Sequence, residues 1–451
     1  MTTVKIPKTP PPVKDRLAIL HDPNAISALA ILVVKRTVTA TPHGKYLHWD
    51  ELLHRQPPEG LSHEMWWAAI RLVRAQTEKQ LPLPDKQGGA FSYTSPDPVL
   101  ELLQKIDRDA SGNITLSEEA TSPESRDRYI VSSLIEEAIT SSQLEGAATT
   151  RRVAKDMLRS GRKPRTVGER MILNNYAALS HVRAVKDRDL SPELIFSLHR
   201  LLTNHTIDDP AEIGDFRKGQ VYVFHETSDL VLHNPPPVEQ LPGRMEEMCR
   251  FANGEIPNYY VHPVIRAIVL HFWLAYDHPF VDGNGRTARA LFYWSMLHQG
   301  YWLCEYISLS DIVKKAPAKY ARAFLHSETD ENDVTYFILH QLKCIIQALD
   351  NLTSYLSRKA KQLRTARFLL RKSTDLVNHR QLALLSHALK KPGTDYTFES
   401  HRVSHNIVRQ TARSDLLGLV DLGLLEKSRQ GRKHVFRAVP NLAEELATLG
   451  S

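Results

Sequence analysis

Cysteine is scarce: the 451 residues contain three, Cys249, Cys304 and Cys344. An odd set with no Cys-x-x-Cys spacing and no clustered histidines excludes a disulfide framework and a thiolate zinc site, and makes a reducing, cytoplasmic setting the expectation. Long apolar runs are missing too. The longest, Ile26 to Val34 with Ser27 its one polar residue, is well short of the roughly twenty residues that span a bilayer. It lies behind a proline-rich start and an Asp22-Pro23-Asn24 turn, which is not the layout of a secretory signal, so no membrane partner is expected. Acidic residues are thin in one place. Between Lys361 and Pro440 six Asp and Glu face sixteen Lys and Arg, so this segment alone outweighs the +7 of the whole chain. Such uneven charge points to a separate module with an anionic partner.

What is present centres on His278-Pro279-Phe280-Val281-Asp282-Gly283-Asn284-Gly285-Arg286-Thr287-Ala288-Arg289. A histidine takes a proton near neutral pH, and a lone aspartate can hold a hard divalent cation. Gly283-Asn284-Gly285 opens onto a helical pattern, the usual setting of a backbone nest for an anion. Arg286 and Arg289 lie three apart, where two guanidinium groups could clamp a polyphosphate. Base, metal ligand, nest and clamp are the parts of a phosphoryl or nucleotidyl transfer site. A capped turn with solvated charges is the bland reading of any one pair here, but not of the whole run.

The run resembles the Fic family signature, His-Pro-Phe-x-(Asp/Glu)-Gly-Asn-(Gly/Lys)-Arg-x-x-Arg, with no specified position departing from it. Ser141-Ser142-Gln143-Leu144-Glu145-Gly146 is similar to the family's inhibitory motif, (Ser/Thr)-x-x-x-Glu-(Gly/Asn), placed upstream of the signature. The resemblance covers about 126 to 342. It implies transfer of AMP from the co-substrate ATP, with Mg²⁺ on Asp282, to a Ser, Thr or Tyr hydroxyl of a protein, the chain itself included. His278 would take the hydroxyl proton, Gly283, Asn284 and Gly285 would hold the anion, and Arg286 and Arg289 the outer phosphates. Two short strands, Gln220–His225 and Asp229–His233, form a hairpin. In the resemblance it is a flap over the site, with Val231, Leu232 and His233 at the nucleotide. Tyr320 is carried over as an adenine contact, although Lys319 stands where relatives often have a second tyrosine. A carboxylate at position 145 would pair with Arg289 and occupy the charge a γ-phosphate needs, so an autoinhibited enzyme is expected. Two alternatives stay open: removal of AMP by water, and a DNA-binding regulator whose Fic portion senses nucleotide.

The expected fold is mainly α. Residues 1–22 form a tail without a core of its own, 23–125 a small helical N-terminal domain, 126–350 the helical core with its hairpin flap, and 360–445 an α+β module. Helices followed by Gly423–Lys427, a turn at Gly431 and Lys433–Arg437 give that module a winged-helix pattern, with Arg409 and Arg413 on the helix that would enter a DNA groove. Dimerisation or docking is the competing use, and a homodimer is possible. Asp107 to Glu118 fits a calcium-loop template, but no second loop exists and Pro123 follows closely, so a glycine-centred turn is preferred to a Ca²⁺ site.

Overall fold

The computed structural model describes residues 5–12, 14, 38–110, 123–224, 231–372, 377–405, 407–430 and 433–449. They form two compact units, one reaching Leu352 and one beginning at Thr353. As expected, the chain is mainly helical. Among the described residues no helix is long and apolar enough to cross a membrane.

The first unit is built on two helices, Pro263–Asp277 and Asn284–His298, which pack against one another more extensively than any other pair of elements. Proline opens the first, with the His262 ring accepting the Val264 N–H at 3.3 Å. Every residue from Val264 to Leu274 is buried, so this helix is apolar on all sides and sits at the centre of the core. Around the pair lie Pro123–Leu144, Val167–Ala184 and Pro192–Thr203. The last two are started by Thr166 and Ser191, whose hydroxyls accept the N–H groups of Glu169 and Leu194. The capping residues in the sequence thus fix where these helices around the site begin.

The N-terminal residues do not stand apart from this core. Arg74, fully buried, donates to the carbonyls of Ala40 and Leu47 and to the Tyr336 hydroxyl, and lies 3.6 Å over the Tyr46 ring. Tyr46 in turn donates to Asp333 at 2.5 Å, just before the long helix Thr335–Lys372. Residues 38–110 therefore belong to the same compact unit as the helical core. They are also not purely helical. Lys79–Pro84 pairs antiparallel with Ala90–Tyr93, and Asp85 closes the turn by accepting the N–H groups of Gln87 and Gly89. The alternating prolines of Gln80-Leu81-Pro82-Leu83-Pro84 hide this strand from a propensity reading.

The expected flap hairpin is present as Val223–Phe224 paired with Val231–His233; residues 225–230 between them lie outside the described residues. So do residues 111–118 of the calcium-loop template. Its first acid, Asp107, ends up on the core instead, accepting the Tyr301 hydroxyl at 2.6 Å.

In the second unit the helices His379–Lys390, Phe398–His405 and Arg409–Asp421 pack on a three-stranded sheet ordered Asp395–Tyr396, Lys433–Ala438, Leu425–Gln430. Leu385, Leu416, Leu419, Leu424 and Phe436 form its core. Asp415 is buried and accepts from Asn378, Arg380 and His401; burial pushes its carboxyl up, but these donors outweigh it and hold the group near 2. The first strand and the final helix, Leu442–Leu449, were not legible in the sequence.

Several histidines of the first unit are buried as neutral rings. Burial lowers His48, His271 and His326 to about 3 and His199 and His340 to about 4. The unfolded chain binds protons on them below about 6.5 while the folded chain does not, so stability is lost as pH falls from there towards the folded values, at up to about 1.4 kcal/mol per pH unit for each ring. All six tryptophans precede Thr353, so their fluorescence reports this unit. The urea midpoint followed by tryptophan emission is expected to drop sharply between pH 7.5 and pH 5; an unchanged midpoint would refute the neutral-ring account.

Candidate active site

His278 caps the helix Pro263–Asp277 in a left-handed conformation, φ 46°, uncommon for a residue with a side chain. The surroundings hold it there. Its N–H donates to Leu274 at 3.0 Å, and its carbonyl accepts Arg217 Nε at 3.0 Å. Arg217 is itself buried and also donates to the carbonyls of Gly219 and Pro236. The ring Nδ1 lies 3.3 Å from the Ala275 carbonyl, an assignment that puts the proton on Nδ1 and leaves Nε2 as an acceptor. Burial lowers His278 to about 4, with the Ala275 bond and Glu145 working against it, so the ring is neutral and ready to accept a proton at neutral pH.

The turn after His278 is locked by its own side chains. Asn284, 2% exposed, accepts the Phe280 N–H at 2.9 Å and donates to the Phe280 carbonyl at 2.8 Å. Phe280 stacks on His199 at 3.8 Å, and His199 Nδ1 accepts the Gly214 N–H, so its Nε2 donates to the Asp282 carbonyl at 2.8 Å. A Cβ on Gly283 would come 2.8 Å from Thr203 Cγ2, and its φ of +82° suits glycine. Arg286 is completely buried and donates to the Leu202 carbonyl and to Asp282 Oδ2 at 2.8 Å. The expectations for two side chains are corrected here. The Asn284 amide is taken up by Phe280 and two of the Arg286 nitrogens by Leu202 and Asp282, so both side chains hold the loop; the buried Arg286 Nε has no hydrogen-bond partner among the described residues. The N–H groups at the start of Asn284–His298 have no side-chain cap and are the free donors of this nest.

Arg289 pairs with Glu145, as the charges led one to expect. It is 3% exposed. Its Nε donates to Ser141 Oγ at 2.8 Å, and Nη2 donates to the Ser141 carbonyl at 3.1 Å and to Glu145 Oε1 at 2.8 Å. Glu145 follows the helix Pro123–Leu144, its N–H bonded back to Ser142, and Gly146 turns the chain away. A Cβ on Gly285 would strike Glu145 Oε1 and lie 2.9 Å from its Cδ. The carboxylate therefore sits over the opening turn of the nest as well as on Arg289.

A cavity of 230 Å³ opens beside this group, lined at one end by His278, Gly285, Arg289 and Glu145. Tyr320, Phe324 and Glu328, from the helix Pro317–Thr329, form one wall at four-residue spacing, about 12 Å from first to last. Tyr320 donates or accepts with His271 Nε2 at 2.9 Å. From the flap, Val223, Leu232 and His233 reach the cavity, while Val231 is 42% exposed and does not. The His233 ring bridges Glu328 at 2.8 Å and the Tyr276 carbonyl at 2.7 Å. Phe324, Glu328, Tyr276, His199 and Arg217 were missed in the sequence. The spacing of Tyr320, Phe324 and Glu328 was a visible signal; His199 and Arg217 had none, since the contacts that tie them to the site, at the Asp282 and His278 carbonyls, lie more than sixty positions away.

Asp282 is the carboxylate best placed for a metal, its side chain 49% exposed while accepting from Gly283 N and Arg286. Among the described residues no group of three or more His, Cys, Asp or Glu could hold an ion. The donor set fits a cation whose other ligands are phosphates and water, the habit of Mg²⁺, and not a cation caged by protein alone.

Residues 189–296 match the model of the Fic/DOC family. Over 132 residues the chain is 37% identical to proteins named protein adenylyltransferase Fic from Drosophila sechellia and Drosophila melanogaster. That stretch is 29% of this chain and 25% of each relative, so the chain spans about a quarter of the length of the curated relatives it matches. A crystal structure of a Fic family protein from Desulfovibrio desulfuricans is similar in fold over 77% of this chain and 98% of its own, with a TM-score of 0.53 and 20% identity. Glu145 and the second unit lie outside the matched 189–296.

The Asn284 clamp gives a prediction independent of any activity. Asn284→Ala strips both partners from the buried Phe280 amide and carbonyl, an expected loss of about 1–3 kcal/mol for each group left unsatisfied. Hydrogen exchange at the Phe280 N–H should accelerate at least tenfold. Unaltered exchange there would return Asn284 to the role of an anion ligand.

Proposed function

From the Fic domain at residues 189–296 we propose that this chain is a protein adenylyltransferase held off by Glu145. The observation that carries the proposal is the Glu145 carboxylate, bonded to Arg289 and lying over Gly285 at the mouth of the cavity beside His278.

In the active form ATP lies along the cavity. Its base rests between Leu232 and the Tyr320–Phe324 wall, and its phosphates lie on the free N–H groups of the nest and on Arg289. The half-exposed Asp282 is the side chain for Mg²⁺, which bound with the nucleotide supplies neutralisation of phosphate charge. His278 Nε2 removes the proton from a Ser, Thr or Tyr hydroxyl of the target protein, and that oxygen attacks the α-phosphorus. The bond from the α-phosphorus to the bridging oxygen breaks, pyrophosphate leaves, and AMP remains as a phosphodiester on the side chain. The neutral state of His278 supports this role, because a protonated ring could not act as base. The flap edge at Val223–Phe224 offers unpaired backbone for the target segment, a common mode of peptide capture.

Restraint follows from competition for one guanidinium. With Glu145 in place, the outer phosphates lose Arg289 and are pushed from the nest, leaving the α-phosphorus out of line with the attacking oxygen. Small misplacements of this kind cost about a hundredfold in rate. The same carboxylate, exposed to the cavity next to the phosphate seat, would also suit positioning of a water for removal of AMP. Incubation with ATP labelled in its α-phosphate distinguishes these readings. Glu145→Gly should raise label on the chain or on lysate proteins by about a hundredfold, and a second change, His278→Ala, should abolish it. No rise in Glu145→Gly, or label arriving solely in a parallel incubation with ATP labelled in its γ-phosphate, would sink the proposal.

A further inference from the structure

The second unit carries a groove that the nucleotide chemistry leaves unused. It measures 1290 Å³, several times the cavity beside His278, and runs between Phe398–His405, the first turns of Arg409–Asp421 and the hairpin residue His434. A space so wide and open suits a macromolecule better than a metabolite. Its polar lining is made almost entirely of donors: Arg409, Arg413, Gln410, Thr397, Ser400 and Ser404. The one carboxylate, Glu399, is already paired with Arg402 at 2.7 Å.

Other arginines of this unit are spent on internal partners, Arg380 on Asp415 and Arg437 on Asp395. Arg409 and Arg413 are exposed and make no ion pair among the described residues. They stand one turn apart on a helix whose other face, Ala412, Asp415, Leu416 and Leu419, is buried. Asp415, held by donors from two further helices, fixes how that helix sits on the unit. The helix is thus rigidly mounted with a basic face outward. Val403 and Val408, 64% and 68% exposed, flank the same face.

We propose that this groove binds double-stranded DNA, with the helix Arg409–Asp421 laid in the major groove. The major groove admits an α-helix, and Arg and Gln are the side chains that pair bidentately with guanine and adenine edges, while exposed methyl groups meet thymine. Thr397, Ser400 and Ser404 are of the type that contacts the phosphate backbone. The segment from Lys361 to Pro440, with sixteen basic against six acidic residues, supplies the sequence-independent attraction. This assignment does not depend on the adenylyl-transfer reading, since it uses residues of the second unit alone.

Fluorescence anisotropy of a mixed-sequence duplex of about 20 base pairs with the full chain, titrated between 50 and 200 mM salt, tests it. The duplex should bind, less tightly as salt rises. Arg409→Ala with Arg413→Ala should weaken binding at 50 mM at least tenfold and lower the log–log salt slope by about 2. Glu399→Gln should tighten it several-fold, a gain that misfolding cannot produce. Arg437→Ala, which removes one positive charge outside the groove, should change affinity less than twofold. Absence of duplex binding at 50 mM, equal binding by the double variant, or stronger competition by single-stranded RNA or an acidic peptide than by duplex would each overturn the assignment.

Discussion

The site depends on a buried positive charge. Arg289 is 3% exposed, and a guanidinium taken so far out of water must be compensated. Ser141 supplies two oxygens, but both are neutral; among the described residues the anion bonded to it is Glu145. Anything that removes Glu145 leaves an unpaired charge whose natural replacement is another anion. Under the proposed function, restraint and substrate affinity are therefore one property seen in two states, and the carboxylate is the group that makes a buried Arg289 tolerable while no phosphate is present.

That arrangement demands a rigid floor, and the loop from His278 to Arg286 provides it without spending the donors an anion needs. Asn284, Arg286 and His199 tie Phe280, Leu202 and the Asp282 carbonyl together, and Arg217 holds the His278 carbonyl. These bonds inside the protein stiffen the turn and keep the ring of His278 in one place. The N–H groups at the head of the following helix are left over. Preorganisation of this kind lets an electrostatic site act without reorganising during reaction.

Much of this was legible in the sequence. The helix from Pro263 to Asp277 was bounded correctly by its proline and by the histidine after it, and the pairing of Glu145 with Arg289 was expected from charge. The distinction between residues that face a ligand and residues that hold the loop was not. Asn284 and Arg286 belong to the same short run as Arg289, and polar identity alone makes all three look like anion ligands. What separates them is burial and the identity of partners at Phe280 and Leu202, one of which is over eighty positions away. The wall from Tyr320 to Glu328 was recoverable from its spacing, whereas the strand Lys79–Pro84 was masked by prolines.

Gly285 shows how far the two parts of the site are fitted to one another. Read along the chain, a glycine there is one of the two residues the signature admits, the other being lysine. The structure adds a second requirement. A Cβ at 285 would collide with the Glu145 carboxylate and sit 3.1 Å from Arg289 Nη1. Any side chain there would have to displace either the Glu145 carboxylate or the Arg289 guanidinium. The absence of a side chain is thus required by Glu145 itself. If the proposed restraint holds, position 285 could not acquire a phosphate ligand without also losing that carboxylate, so the choice of chemistry and the choice of regulation would be made by the same few cubic ångströms.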